Sequence, residues 1–441
     1  MRVLLLLFFL SIFSAATAQP GPRIIKKNIN DYTSTEIELS KNPYGKEFYY
    51  ILDKTTDLSK LKNLRTLRKI SLIANVAALP KELDCLSDSL LQIDIQVGFD
   101  LTDISSLRAL KNLKAINLSY EGESSLKLDK LDKLESLYIH TPDLNNIDGI
   151  AGCGHIKKLY LDELNEEKLD FNKLSKMNVE ELKIMHSDKL KDINGISEWK
   201  SLKGLDLYLL SAIRKINFNE LAQLDLRSLH IFTLKNLGNV DNISQCKSLK
   251  ELYISYSLDS MKSLNFDLGK MNLEKLAIGS IKNLKDISDI SNARSLKELS
   301  VFYLNSLETI DFDLNKTHLE NVRIEECQSL STMNGIESCR SLRMLNLWQL
   351  NSIDKLNFGK ARNLETLIMN AIGRLKSISG LESCKSLKEI YIINSNQLTE
   401  ITDLRKLSFV KNITLSANKA LIIPEDYKKI NSKWAITQPS H

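Results

Sequence analysis

The sequence predicts an α/β solenoid, a horseshoe or arc of about 16 coils of ~23 residues, with one short strand per coil in a parallel sheet on the concave side and short helical and extended segments alternating on the convex side. Three observations predict it. The pattern L-x-x-L-x-L, with Ile, Val or Met tolerated, recurs along nearly the whole chain. A phenylalanine recurs at about twice that interval. The phrase CKSLKELYI, Cys246 to Ile254, returns as CKSLKEIYI from Cys384 to Ile392 with one leucine changed.

The middle apolar residue of each copy is Ile70, Ile93, Ile116, Leu137, Leu159, Leu182, Leu205, Leu229, Leu252, Leu276, Leu299, Val322, Leu345, Leu367, Ile390 and Ile413. No step between them departs from 21–24 residues. Successive strand side chains alternate, so each L-x-L sends two apolar side chains to one face. One coil cannot bury that face alone. Stacked coils share a continuous core.

Over about residues 60–420 this pattern resembles the leucine-rich repeat family, and in particular its internalin-like, short-repeat branch. The stretch LKSISGLESCKSLKEI carries the L-x-x-I-x-x-L spacing of that branch before its next strand. The resemblance implies a ligand-recognising concave face. One departure stands out. The family usually has Asn or Cys three residues after the last strand leucine, bonded to the loop backbone. Asn75, Cys327 and Asn418 keep that rule, whereas Leu164, Leu210, Leu234, Leu304 and Leu350 break it. A regular polar ladder is therefore not expected, and an irregular solenoid is.

The longer period is carried by Phe171, Phe218, Phe266, Phe312 and Phe358, each preceded by Asn or Asp and then Ile or Leu. Their spacings of 46–48 residues span two coils. The phenylalanine coil reads as extended on the back side and its neighbour as a short helical turn. Internal duplication of the pair accounts for the twin phrase.

The chain opens with Arg2, an apolar run from Val3 to Phe13, and Ala16-Thr17-Ala18. That reads as a signal peptide over 1–18, cleaved near Ala18–Gln19. Residues 19–60, which include EFYYIL, are expected as an N-terminal cap, 61–418 as the solenoid, and 419–441 as a C-terminal cap and tail. No later run approaches the ~18 apolar residues of a membrane span. The expected location is secreted or periplasmic. A net charge of +5 on 441 residues lacks the concentrated basic face of a nucleic-acid binder.

Six cysteines in an exported chain invite a disulfide reading. Four of them, Cys153, Cys246, Cys339 and Cys384, sit three residues before a strand's first apolar position. Sister coils place Trp199, Ala293, Leu110 and Leu407 there. A slot tolerating such residues reads as apolar packing, and Cys339 and Cys384 fall two coils apart, about 10 Å, beyond the ~7 Å a disulfide spans. No disulfide, metal site or cofactor is expected.

Strand residues pointing away from the core line the candidate binding face. Those singled out are Tyr138, Tyr160, Tyr208, His230, Phe232, Tyr253, Phe302, Arg323, Trp348 and Tyr391. Tyr208, His230, Phe232 and Tyr253 fall on consecutive strands, and Phe302, Arg323 and Trp348 read as a second group. Exposed Tyr, Trp and Arg anchor protein interfaces. Such rings also suit strands with no ligand at all. The sequence shows no G-x-S-x-G, H-E-x-x-H or phosphate-cradling glycine loop. The expected function is non-enzymatic binding of a protein partner, with a glycan stacked on the same aromatic stripe as the alternative.

Overall fold

The computed structural model describes residues 25–28, 48–52, 68–74, 76–97, 103–119, 128, 130–140, 150, 152–174, 176–311, 316–336, 339–359, 361–424, 427 and 434–436. The expected signal peptide and Phe312 lie outside the described residues. The chain divides into two compact units, Met1–Tyr120 and Glu121–His441.

In the first unit the strands Ile25–Asn28, Phe48–Leu52, Lys69–Ala74, Gln92–Val97 and Ala115–Ser119 pair in parallel, each with the next. Parallel pairing thus already begins within residues 19–60. Ile70, Ile93 and Ile116 stand in one register row and Leu72, Ile95 and Leu118 in another, all buried. Short 3-10 turns at Lys81–Leu86 and Ser105–Ala109 close the coils, burying Leu83, Leu86 and Leu107.

The second unit repeats one plan from Ser136–His140 to Asn412–Ser416. Five-residue strands pair in parallel without a register slip, and each buries its second and fourth residues. The row Leu137, Leu159, Leu182, Leu205, Leu229 and Leu252 continues unbroken to Ile413. Strict alternation fixes this register, because a one-residue slip would turn every leucine to solvent. Within 419–441, Ala435–Ile436 pairs with the strand at Asn412–Ser416.

The turn after each strand corrects an expectation. The scarcity of Asn and Cys there predicts irregular coils, yet the turn is uniform. From Glu163 to Ala417, the residue following each strand has φ between 48° and 57°, and none of these residues is glycine. That left-handed geometry costs about 1 kcal/mol per residue. The return is a backbone ladder: the turn N–H donates to the last carbonyl of the next strand, from Glu163 to Met185 through Asn394 to Ser416, at 2.9–3.3 Å. Side chains are thereby released from the task. A thinner polar ladder remains, built largely of serine. Ser187 Oγ accepts from the Leu164 N–H at 3.0 Å and donates to the Met185 carbonyl at 2.8 Å. Ser257 does the same between Leu234 and Ser255. Asn418 accepts from the Ser395 N–H at 2.9 Å.

On the return side, 3-10 turns at Ile196–Glu198, Ile243–Gln245, Ser288–Asn292, Leu381–Ser383 and Leu404–Leu407 occupy the coils expected to be helical. The phenylalanine coils are less uniform than expected. Phe358 follows the extended segment Lys355–Asn357, but Phe218 opens a helical turn, Phe218–Leu221. Phe171, Phe218, Phe266 and Phe358 are all buried, each contributing about 1.5–3 kcal/mol of transfer free energy. The cysteine slot is not purely apolar. Cys246 Sγ and Cys384 Sγ point their S–H at the carbonyls of Phe218 and Phe358, at 3.7 and 3.5 Å. Trp199 fills the equivalent slot and donates its indole N–H to the Phe171 carbonyl at 3.2 Å, ring edge against ring. Where the slot holds Cys or Trp, the side chain adds a donor to a turn carbonyl; Ala293, Leu110 and Leu407 fill the same slot, buried, without one. Burial pushes the Cys246 and Cys384 thiols up to about 12, so they stay protonated and can donate.

Candidate binding site

The outward face of the second unit carries three columns per strand, from the first, third and fifth residues, and a fourth from the left-handed turn. Two clusters stand out.

The first gathers on Asp162, the fifth residue of Lys158–Asp162 and only 6% exposed. Tyr138 donates its hydroxyl to Oδ2 at 2.5 Å. His140 Nδ1 lies 3.1 Å from Oδ2 and His186 Nδ1 2.7 Å from Oδ1. Burial raises the Asp162 carboxyl, but hydrogen bonds from His186, Tyr138 and His140 outweigh it and bring it down to about 2. The same bond to Asp162 raises the His186 imidazole. This is a carboxylate saturated by its own neighbours.

The second cluster spans Gly204–Tyr208, Ser228–Phe232, Glu251–Ser255, Lys275–Gly279 and Glu298–Phe302. Its polar part is His230, with Nδ1 3.0 Å from Asp206 Oδ1 and Nε2 3.3 Å from Glu251 Oε1. Both ring nitrogens face carboxylate acceptors, which defines an imidazolium. Burial alone would push His230 down. Hydrogen bonds to Asp206 and Glu251, with their charges, prevail and raise it to about 9. Register sets His230 directly beside Asp206, and Glu251, at the first position of the next strand, is the second partner.

The apolar part is a chain of ring contacts. Tyr208 meets Phe232 at a centroid distance of 5.6 Å, Phe232 meets Tyr253 at 6.5 Å and Tyr256 at 5.3 Å, Tyr253 meets Phe302 at 5.8 Å, and Phe302 meets Tyr303 at 6.3 Å. Aromatic pairs of this kind each contribute about 0.5–1.5 kcal/mol beyond burial. Small residues make the span work. Phe232, Ser255, Gly279 and Phe302 share one register row. The Phe302 ring lies across Gly279, in space a Cβ would fill, and so reaches Tyr253. Burial raises the Tyr253 phenol to about 12, and the Ser255 hydroxyl offsets only part of that without making a well-aligned bond. Lys183 Nζ sits 4.5 Å from the Tyr208 ring centroid and caps this end with a cation.

The candidates divide accordingly. Tyr208, His230, Phe232 and Tyr253 come together, and Phe302 joins them rather than Arg323 and Trp348, because glycine at 279 lets its ring lean that way. Arg323 is instead paired with Glu325 on its own strand. Phe232 is 4% exposed and forms the floor of the platform. Tyr138 is held by Asp162, and Tyr160 by Glu181 at 3.5 Å. Trp348 and Tyr391 lie two and four strands beyond Glu298–Phe302. Sequence alternation misses Tyr256 and Tyr303, since both sit on the turn, where the period of two has ended. Their signal is the tyrosine directly after the strand in ELYISY and ELSVFY.

The family model Leucine Rich repeats (2 copies) matches residues 362–406. Among solved structures, the Leptospira interrogans LRR protein LIC12759 is 17% identical, with a TM-score of 0.55, over 94% of this chain and 99% of that one. A chain of the Toll–Spatzle complex of Drosophila is 14% identical, with a TM-score of 0.53, over 83% of this chain and 54% of that one. An internalin, inlF, of Listeria monocytogenes is 18% identical, with a TM-score of 0.44, over 78% and 88%. A search of curated proteins finds no match. The chain has the leucine-rich repeat fold. Among the described residues no helix is long and apolar enough to cross a membrane.

Proposed function

We propose that this protein is an exported, non-enzymatic binding module that takes a protein partner on the outward face of its second unit. The observation that carries the reading is the aromatic platform from Tyr208 to Tyr303, with Tyr256 41% exposed. Large rings held rigid by one another lose little entropy on contact and are typical interface anchors. The Toll chain, of the same fold, is seen in complex with Spatzle. Export rests on the pattern of residues 1–18.

The test immobilises the mature protein and measures affinity for whatever protein it captures. Tyr208→Ala is expected to weaken binding at least tenfold, the usual scale of an anchor residue. Tyr391→Ala, four strands beyond the platform, is expected to change it less than twofold. Equal effects from the two variants would reject the platform. A glycan array that lights up while no protein is retained would replace the protein partner with a sugar.

A further inference from the structure

In the second unit, a basic residue stands four or five positions before the strand in every coil from Lys247 to Lys385. Lys247, Arg294, Arg340 and Lys385 supply it in one kind of coil, and Lys270, Lys316 and Arg362 in the other. All seven are exposed. The first kind turns alike: the N–H groups of Lys247, Arg294 and Lys385 donate two residues back, to Gln245, Asn292 and Ser383, at 2.8, 2.9 and 3.0 Å. Direct bonds then tie each coil to the one that follows. Asn272 Nδ2 donates to the Lys247 carbonyl at 3.1 Å, and Asn363 Nδ2 to the Arg340 carbonyl at 2.5 Å. His318 Nδ1 lies 2.6 Å from the Arg294 carbonyl, and the Ser386 N–H donates to the Arg362 carbonyl at 3.4 Å. Asn272, His318, Asn363 and Ser386 each lie one or two residues beyond the cation of their own coil, so these contacts set the cations of consecutive coils side by side. Six coil steps of about 4.8 Å make the column about 30 Å long.

Charge pairing separates this column from its neighbour. Next to the strands the signs alternate and cancel: Lys250 and Lys297 both reach Glu274, at 3.1 and 2.9 Å, and Arg343 and Lys388 share Glu365. In the basic column Lys270 is paired with Asp267 at 3.1 Å, and the other six make no ion pair among the described residues. Lys385 lies 5.1 Å from the Phe409 ring centroid, a contact that keeps its charge. Like charges stacked at this pitch repel one another. The chain's net charge of +5 conceals them, because acids elsewhere offset them. A bound polyanion relieves the repulsion and releases the counterions gathered there.

We propose that Lys247, Arg294, Lys316, Arg340, Arg362 and Lys385 form a binding stripe for a linear anionic polysaccharide, its charges carried by sulfate or carboxylate. This surface shares no residue with the aromatic platform. A line one cation wide fits a polymer better than a broad acidic surface. A nucleic-acid strand brings a phosphate every ~3.4 Å and bases that need rings to stack on; this column is pitched more widely and is built of Lys and Arg.

The probes are a fluorescein-labelled heparin dodecasaccharide and a galacturonate dodecamer, with neutral dextran of equal length as control. Binding to the purified protein is followed by fluorescence polarisation across a salt series. At least one acidic polymer is expected to bind, and dextran at least tenfold more weakly. The triple variant Arg294→Gln, Arg340→Gln, Arg362→Gln is expected to weaken binding at least tenfold. It should also lower the slope of log K against log salt by about 2 to 3. A second triple, Lys158→Gln, Lys191→Gln, Lys275→Gln, removes the same charge from cations paired with Glu181, Glu167 and Glu298. Its effect is expected to stay below twofold. Equal losses from the two triples, dextran binding as well as the acids, or neither acid binding at low salt overturns the proposal. Duplex DNA of equal length binding more tightly than both acids overturns the choice of polymer.

Discussion

His230 gives the sharpest test of the electrostatics. Its imidazole is raised from 6.5 to about 9 by Asp206 and Glu251 against the opposing effect of burial. At 1.36 kcal/mol per pH unit, that difference amounts to about 3 kcal/mol of folding stability. The side chain is 23% exposed, so solvent screening takes only a small share. The depression of Glu251 reflects the same contact and is not added again. The sign follows from the direction of the change. A group whose value rises on folding stabilises fully below its unfolded value and loses that contribution as pH rises through the folded one. The window is therefore about pH 6.5 to 9. Urea unfolding of wild type and His230→Gln, followed by circular dichroism at pH 6 and pH 10, isolates it. Tyrosine and lysine titrations near pH 10 act on both proteins and cancel in the difference. The gap between them is expected to be about 3 kcal/mol larger at pH 6 than at pH 10. A gap that is constant, or that grows towards pH 10, refutes the charged-imidazole reading.

Asp162 has the opposite sign: its value is lowered on folding to about 2, so its contribution is full above pH 4 and is lost as pH falls through 2. In acid titrations followed by circular dichroism, Asp162→Asn should flatten that limb. Gly279→Ala would place a methyl where the Phe302 ring lies; about 1–3 kcal/mol of destabilisation is expected, and most of it should vanish when Phe302→Ala is added. Ser257→Ala strips the partner from the buried Leu234 N–H and should cost about 1–3 kcal/mol by urea midpoint. Tyr138→Phe removes one donor to Asp162 and should cost about 1 kcal/mol by the same measurement.

The register of the strands was legible in the sequence because period-two burial leaves one assignment for each leucine. Ile70 to Ile413 all stand where alternation puts them. The platform was legible in part. Tyr208, His230, Phe232 and Tyr253 could be placed as neighbours, since strand order and parallel pairing fix which residues share a row. The lean of Phe302 was not, because it depends on the missing side chain at Gly279, one strand away. Nor was the Asp162 cluster, whose donors sit 22 to 24 residues before and after it. The turn misled most. Asn and Cys at the polar position are one means of holding it, and their scarcity says nothing of a backbone that can hold it alone. The cysteine slot is buried as its spacing implies; what spacing could not show is that Cys246 and Trp199 also donate to the Phe218 and Phe171 carbonyls.

Because the turn is held by main-chain atoms, its backbone does not depend on which side chain stands there. Glu163, His186, Leu209, Thr233, Tyr256, Ser280, Tyr303, Glu326, Gln349, Ala371, Asn394 and Ala417 all adopt one conformation. Acid, base, aliphatic, hydroxyl, amide and aromatic groups are equally accommodated. The rim is in effect a row of interchangeable positions, evenly pitched on a rigid rail, where the recognition pattern can be rewritten one coil at a time while the core beneath is left untouched.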